Sequence, residues 1–118
     1  MTTPSSPTPF LIRIVDVDGA VLVRVRGELD LATAPHLEQA LDPLRERPCE
    51  LDLAEVGFAD STGVNLLLRL QRRAAAAGGS IRVLAVSGPV RRILDLSGVT
   101  SVLLPHLGRS DPPSPGER

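Results

Sequence analysis

The stretch that decides the fold is LDLAEVGFADSTGVNLLLRLQRRAAAAGGSIRVLAV, residues 51 to 86. Its start completes a short apolar strand, Cys49 to Leu53. After Asp60 the period changes. Val64, Leu67, Leu68, Leu70 and Ala74 to Ala77 read as a helix, with Leu66 adding a further apolar face. Most of these leucines belong to a core, leaving one or two for a surface. Gly78-Gly79 ends the helix, because a helix terminus favours residues that enter the left-handed region. Ser80 to Val86 is a second apolar strand. A strand, a helix and a strand joined by short loops make a unit whose strands run parallel, with a right-handed crossover.

Outward from this unit the same reading extends to both sides. Phe10 to Val17 is a strand with Phe10, Ile12 and Ile14 on one face. Asp18-Gly19 is a hairpin signal. Ala20 to Arg26 is the returning strand, in which Val21, Val23 and Val25 alternate with Leu22, Arg24 and Arg26. Gly27-Glu28-Leu29-Asp30 leaves that strand. Thr33 with Pro35 just inside starts a helix carrying Leu37, Ala40, Leu41 and Leu44 as far as Arg45-Glu46-Arg47-Pro48. Beyond Val86, Ser87-Gly88-Pro89 starts a helix through Leu96, Gly98 closes it, and Val102 to Leu104 is a last short strand. The order β-β-α-β-α-β-α-β predicts an α/β fold. Its single mixed, mostly parallel sheet has about five strands, an N-terminal hairpin and three or so helices. In such sheets sites form at the carboxyl ends of strands. The loops Gly27 to Thr33, Gly57 to Gly63 and Val86 to Pro89 are therefore expected to gather at one edge.

Composition narrows the function classes. The 118 residues with 42% hydrophobic content make one domain, able to bury about two-thirds of the surface its unfolded chain exposes. Residues 1 to 9 and 108 to 118 are rich in Pro, Ser and Thr and read as disordered tails around a domain at 10 to 107. The net charge of −1 gives no field favouring nucleic acid or an anionic membrane, although all 13 basic residues are Arg. Two Phe, no Tyr and no Trp leave little for stacking on bases. Arg72-Arg73 and Arg91-Arg92 read as solvated helix faces. Cys49 is the one cysteine and sits in an apolar stretch, so it reads as a buried, inert thiol. No apolar run approaches the roughly 20 residues of a membrane helix, and no basic leader opens the chain. A cytoplasmic protein is expected.

Catalysis finds little support. A hydrolytic triad needs a nucleophile, a base and an orienting acid. The two histidines, His36 and His106, have no motif pairing them with Ser61. GxSxG, GxxxxGK[ST] and GxGxxG are absent. The carboxylates Glu28, Asp30, Asp52, Glu55 and Asp60 match no calcium loop. The chain is expected to be no enzyme and to need no cofactor and no metal. What remains is Asp60-Ser61-Thr62-Gly63 at the mouth of a helix. Locally it reads as a cap, whose oxygens accept free backbone N–H groups. The same place tolerates a phosphate, because the exposed N–H groups and the dipole favour negative charge. A phosphoserine would add roughly −1.5 to −2 charges there without unfolding the helix.

Three segments carry a resemblance to a known family: RVRGELDLATAPHLEQAL at 24 to 41, the 51 to 86 stretch, and SGPVRRILDLSGV at 87 to 99. In this order and spacing they resemble the bacterial anti-sigma factor antagonists, single STAS domains, over about residues 10 to 105. The resemblance implies a partner-switching regulator of transcription. It would bind an anti-sigma factor that is also a serine/threonine kinase, freeing a sigma factor. The kinase, supplying its own Mg-ATP, would phosphorylate the hydroxyl after the loop aspartate, and a PPM-type serine phosphatase would reverse this. Here that hydroxyl is Ser61, with Thr62 as the alternative. The implied docking residues are Asp30, Leu31 and Thr33; Asp60, Ser61, Thr62, Gly63, Val64 and Asn65; and Ser87, Gly88 and Pro89. No nucleic acid and no membrane would be bound, and the protein would be a monomer or weak dimer. The family's usual small residue in the loop helix is Asn65 here, and its usual last helix is not evident after Leu104. The alternative is a STAS domain that does not switch, a fixed subunit of a transporter or signalling complex.

Overall fold

A computed structural model describes residues 9 to 104. The tails at 1 to 8 and 105 to 118, with His106, lie outside the described residues. The elements are β1 (Leu11–Val17), β2 (Ala20–Leu29), α1 (Ala34–Leu41), a 3-10 turn at Asp42–Leu44, β3 (Pro48–Ala59), α2 (Ser61–Ala76), β4 (Ser80–Val86), α3 (Gly88–Leu96) and α4 (Thr100–Leu103).

The four strands lie in the order β1-β2-β3-β4. β1 and β2 form the expected antiparallel hairpin, turning through Asp18 and Gly19 at φ 51° and 86°. Two positive φ values in a two-residue loop match the right-handed twist of the flanking strands. β2, β3 and β4 are parallel neighbours, as the crossover argument requires.

The sheet has one covered face. Val21, Val23, Val25 and Leu29 of β2, Cys49, Leu51, Leu53, Val56 and Ala59 of β3, and Ile81 and Val83 of β4 are buried. Against them pack Leu37 and Leu41 of α1, Val64, Leu66, Leu67, Leu70 and Ala74 of α2, and Val90 and Leu94 of α3. The opposite face carries charge. Arg24 meets Asp52, Arg26 meets Glu55 and Arg82 meets Glu50, at 3.6, 3.8 and 3.4 Å. Pairs this exposed contribute little to stability. β1 is an edge strand, and Leu11, Ile14, Val15 and Val17 stay exposed on it. Arg47 ties the strand's far end to the domain by pairing with Asp16.

Three elements differ from the sequence reading. β2 does not end at Arg26 but runs on to Leu29. Gly27 takes φ 115°, and a Cβ there would come within 2.9 Å of the Pro9 carbonyl oxygen. The glycine therefore marks an irregularity inside a strand, where it suggested an exit. β3 continues beyond Leu53 to Ala59, pairing its second half with β2 alone. Finally, Val102 to Leu104 is no strand. Thr100–Leu103 forms the short α4, with Leu103 and Leu104 fully buried and Gln71 Nε2 donating to the Val102 carbonyl. A three-residue apolar run carries no period, so its partners decide its shape. The fold is the expected mixed sheet, with four strands where about five were counted.

Cys49 is buried, and burial pushes its thiol above the usual range. Among the described residues, no helix is long and apolar enough to cross a membrane.

Candidate functional site

The loops after β2 and β3 meet at the carboxyl edge of the sheet. Asp60 sits in extended backbone, and its Oδ1 accepts the Gly63 N–H at 3.1 Å. Asp60 is thus the N-cap of α2. The cap reading had been spread over Asp60, Ser61 and Thr62, and the geometry assigns it to the aspartate alone. Ser61 is the first helical residue and is exposed, while Thr62 is half-buried. Among the described residues, neither hydroxyl makes a hydrogen bond within 3.5 Å. Ser61 Oγ therefore stands at a helix start without the work of capping it, next to the carboxylate that does.

Gly63 and Val64 are buried. They hold the rim from beneath, so their part in any docking is indirect. Asn65 is exposed one turn into the helix. Leu66, Leu67 and Leu70 are buried, and Leu68, packed on the core but only partly buried, is the one of these leucines left to reach a surface.

The loop after β2 is built on Asp30 and Thr33. Asp30 Oδ1 accepts the N–H groups of Ala32 and Thr33 at 3.0 and 3.1 Å. The Thr33 hydroxyl accepts the Asp30 N–H at 3.0 Å and donates to the Glu28 carbonyl at 2.6 Å. Asx and hydroxyl bonds of this kind replace strand pairing with a compact turn. Thr33 occupies the N-cap position of α1, but its side chain serves the turn and not the helix. The turn presents Leu31, 74% exposed, to solvent. His36, in the first turn of α1, is exposed and tilted against Phe10 at 6.3 Å between ring centres.

These two loops touch. The Asp60 N–H donates to the Leu29 carbonyl at 3.3 Å, and Gly63 packs on the Leu29 backbone. The third loop is set back. β4 ends at Val86, level with Leu53, whereas β2 ends at Leu29, level with Ala59. The third loop's Ser87 lies beside Val56, three residues short of Ala59, so that loop stands roughly 10 Å back along β3. Ser87 is fixed beside β3, its hydroxyl donating to the Val56 carbonyl at 2.6 Å and accepting the Val90 N–H at 3.3 Å. Its hydrogen bonds are used inside the chain as the cap of α3. Gly88 and Pro89 are exposed next to it. The rim is a stepped surface.

Chemically the rim presents one exposed free hydroxyl at a helix start with a second, half-buried, beside it, three carboxylates (Glu28, Asp30 and Asp60) and exposed apolar groups. Sequence reading missed Phe58, 48% exposed just before the cap. Local sequence gave no signal for it, because the register skips Gly57 and breaks the alternation just before the ring.

This geometry has close parallels. The family model described as "Mlab, STAS domain" matches residues 12–105. An anti-sigma F factor antagonist of Paenibacillus polymyxa is 34% identical over 89 residues, covering 72% of this chain and 76% of the relative. A crystal structure of an anti-sigma factor antagonist from Mycobacterium paratuberculosis is 31% identical with a TM-score of 0.68, covering 91% of this chain and 92% of that one. An anti-sigma factor antagonist solved in its unphosphorylated form is 25% identical with a TM-score of 0.62, covering 77% and 82% of the two chains.

Proposed function

Since the chain belongs to the STAS domain family of anti-sigma factor antagonists, we propose that it binds an anti-sigma factor and is switched off by phosphorylation of Ser61. In this reading the anti-sigma factor is a serine/threonine kinase, and a PPM-type phosphatase restores the active form. The domain acts in the cytoplasm by binding, not by turnover. One observation carries the reading. Asp60 caps α2, which leaves the exposed Ser61 hydroxyl free at the helix start. A phosphate there meets favourable N–H groups and dipole, so the helix survives its addition. The charge does not refold the domain; it changes the surface the partner meets.

Two relatives, 34% and 30% identical, are antagonists of anti-sigma factors, which favours the switch over a fixed transporter subunit. The test is incubation of the full chain with the kinase-type anti-sigma factors of its source and Mg-ATP, followed by intact-mass and fragment spectrometry. One added phosphate, at Ser61, is expected. Phosphate confined to the Ser/Pro-rich tails overturns the reading, and phosphate on Thr62 moves the switch by one residue.

A further inference from the structure

Phe58 is one of only two phenylalanines in a chain without Trp or Tyr, and it is left half in water. Its direction follows from the strand register. Phe58 shares a rung with Glu28, and both are exposed; the next rung, Leu29 with Ala59, is buried. Phe58 and Glu28 therefore stand on the open face of the sheet, opposite the helices. Ser61 lies three residues further on, where the chain has crossed the rim to the helical side. Phe58 and Ser61 thus flank one edge from its two faces.

Single exposed apolar residues are ordinary on protein surfaces. Three features set this one apart. Leu31 adds a second exposed apolar side chain on the adjoining loop. Further along the same face, short of Phe58, a groove of about 650 Å³ opens, its walls carrying Arg13, Arg24 and Arg26 beside Asp52 and Glu55. The rim around the ring is acidic, since Glu28 stands opposite it and Asp30 and Asp60 lie along the edge, while the groove beyond carries three arginines against two carboxylates. The Arg26 Nε offsets Glu55 only across 3.8 Å of exposed contact.

We propose that the docking surface turns over the rim onto the open face, with Phe58 as its apolar anchor, and that the partner meets it with an apolar pocket edged by basic residues. This rests on the reading that the chain docks on an anti-sigma factor. An aromatic side chain entering a pocket, ringed by polar contacts that exclude water, is the arrangement that concentrates binding energy. The acidic surround selects a basic rim and speeds its approach.

The experiment measures binding of the full chain to each kinase-type anti-sigma factor of its source, immobilised singly. The variants are Phe58→Ala, Gly57→Arg and Glu28→Lys. Gly57 suits a blocking substitution because a Cβ there meets nothing within 4 Å. Phe58→Ala and Gly57→Arg are expected to bind at least about tenfold more weakly, with melting curves close to wild type. Glu28→Lys slows association at low salt. Wild-type affinity in both Phe58→Ala and Gly57→Arg overturns the inference and leaves the functional reading standing. Weaker binding with lowered melting in both assigns Phe58 a structural role and also overturns it. A wild-type chain that binds none of these proteins overturns the reading and the inference together.

Discussion

A Cβ placed on Gly63 would lie 2.5 Å from the carbonyl oxygen of Leu29. That oxygen also accepts the Asp60 N–H. The glycine lets the first turn of α2 rest directly on the end of β2, which locks the two loops of the rim. Gly63→Ala sets two effects against each other. Alanine gains up to about 1 kcal/mol of helix propensity, but backbone atoms must move apart, at a cost of about 1–3 kcal/mol. The clash wins, because a carbonyl in a sheet cannot swing aside as a side chain can. Thermal unfolding should show a lower midpoint, and a raised midpoint would refute the packing argument.

Capping and charge at Asp60 are separable. Asp60→Ala removes the acceptor for the Gly63 N–H and should cost about 1 kcal/mol. Asp60→Asn keeps an acceptor and should lose far less. If partner binding falls in both, the charge matters for docking; if it falls only in the alanine variant, the loop shape does. Denaturant midpoints with affinities measured on the same samples decide this.

Ser61 caps nothing, so its replacement should leave the domain intact. Ser61→Ala and Ser61→Asp are expected to melt close to wild type. Ser61→Ala should resist the kinase and keep binding, while Ser61→Asp should bind weakly. Retained binding by Ser61→Asp would show that charge at this position is not the switch.

Ser87→Ala should behave in the opposite way. It removes the donor to Val56 and the acceptor for Val90, so a loss of about 1–2 kcal/mol is expected. Because the hydroxyl is engaged within the chain, affinity for the partner should change little. A stable variant with lost binding would reverse this assignment.

Stability should also fall in acid. Hydrogen bonds from Arg69 to Glu38, from Arg47 to Asp16 and from Thr100 to Asp95 hold these carboxyls below their usual range. A depressed folded pKa adds stability that is present above the unfolded value, near 4, and is lost as pH falls through the folded one. Melting points should therefore decline below about pH 4. Glu38→Gln should flatten part of that decline, and an unchanged profile in this variant would exclude its pairing with Arg69 and Arg73 as a source.

Much of the site could be read from local chemistry. Asp60 caps because a short acceptor precedes an apolar helix, and the loops after β2 and β3 share an edge because these two parallel strands end together, which β4 does not. The assignment of the cap to Asp60, the hydroxyl left over at Ser61 and the engagement of Ser87 with Val56 required distances. Whether a hydroxyl is free or committed depends on where a strand distant in sequence places its carbonyl.

The division follows the range of the forces. Alternation at Val21, Val23 and Val25, the Asp18-Gly19 turn and the leucine spacing after Asp60 determined the hairpin, the crossover and the covered face, since each is set by neighbours along the chain. Tertiary structure alone decided that β3 runs to Ala59, that Val102 to Leu104 is no strand, and that Phe58 looks outward. Strand length depends on a partner strand being available, a short apolar run takes the shape its burial allows, and a sheet has a solvent face only after the helices have chosen the other.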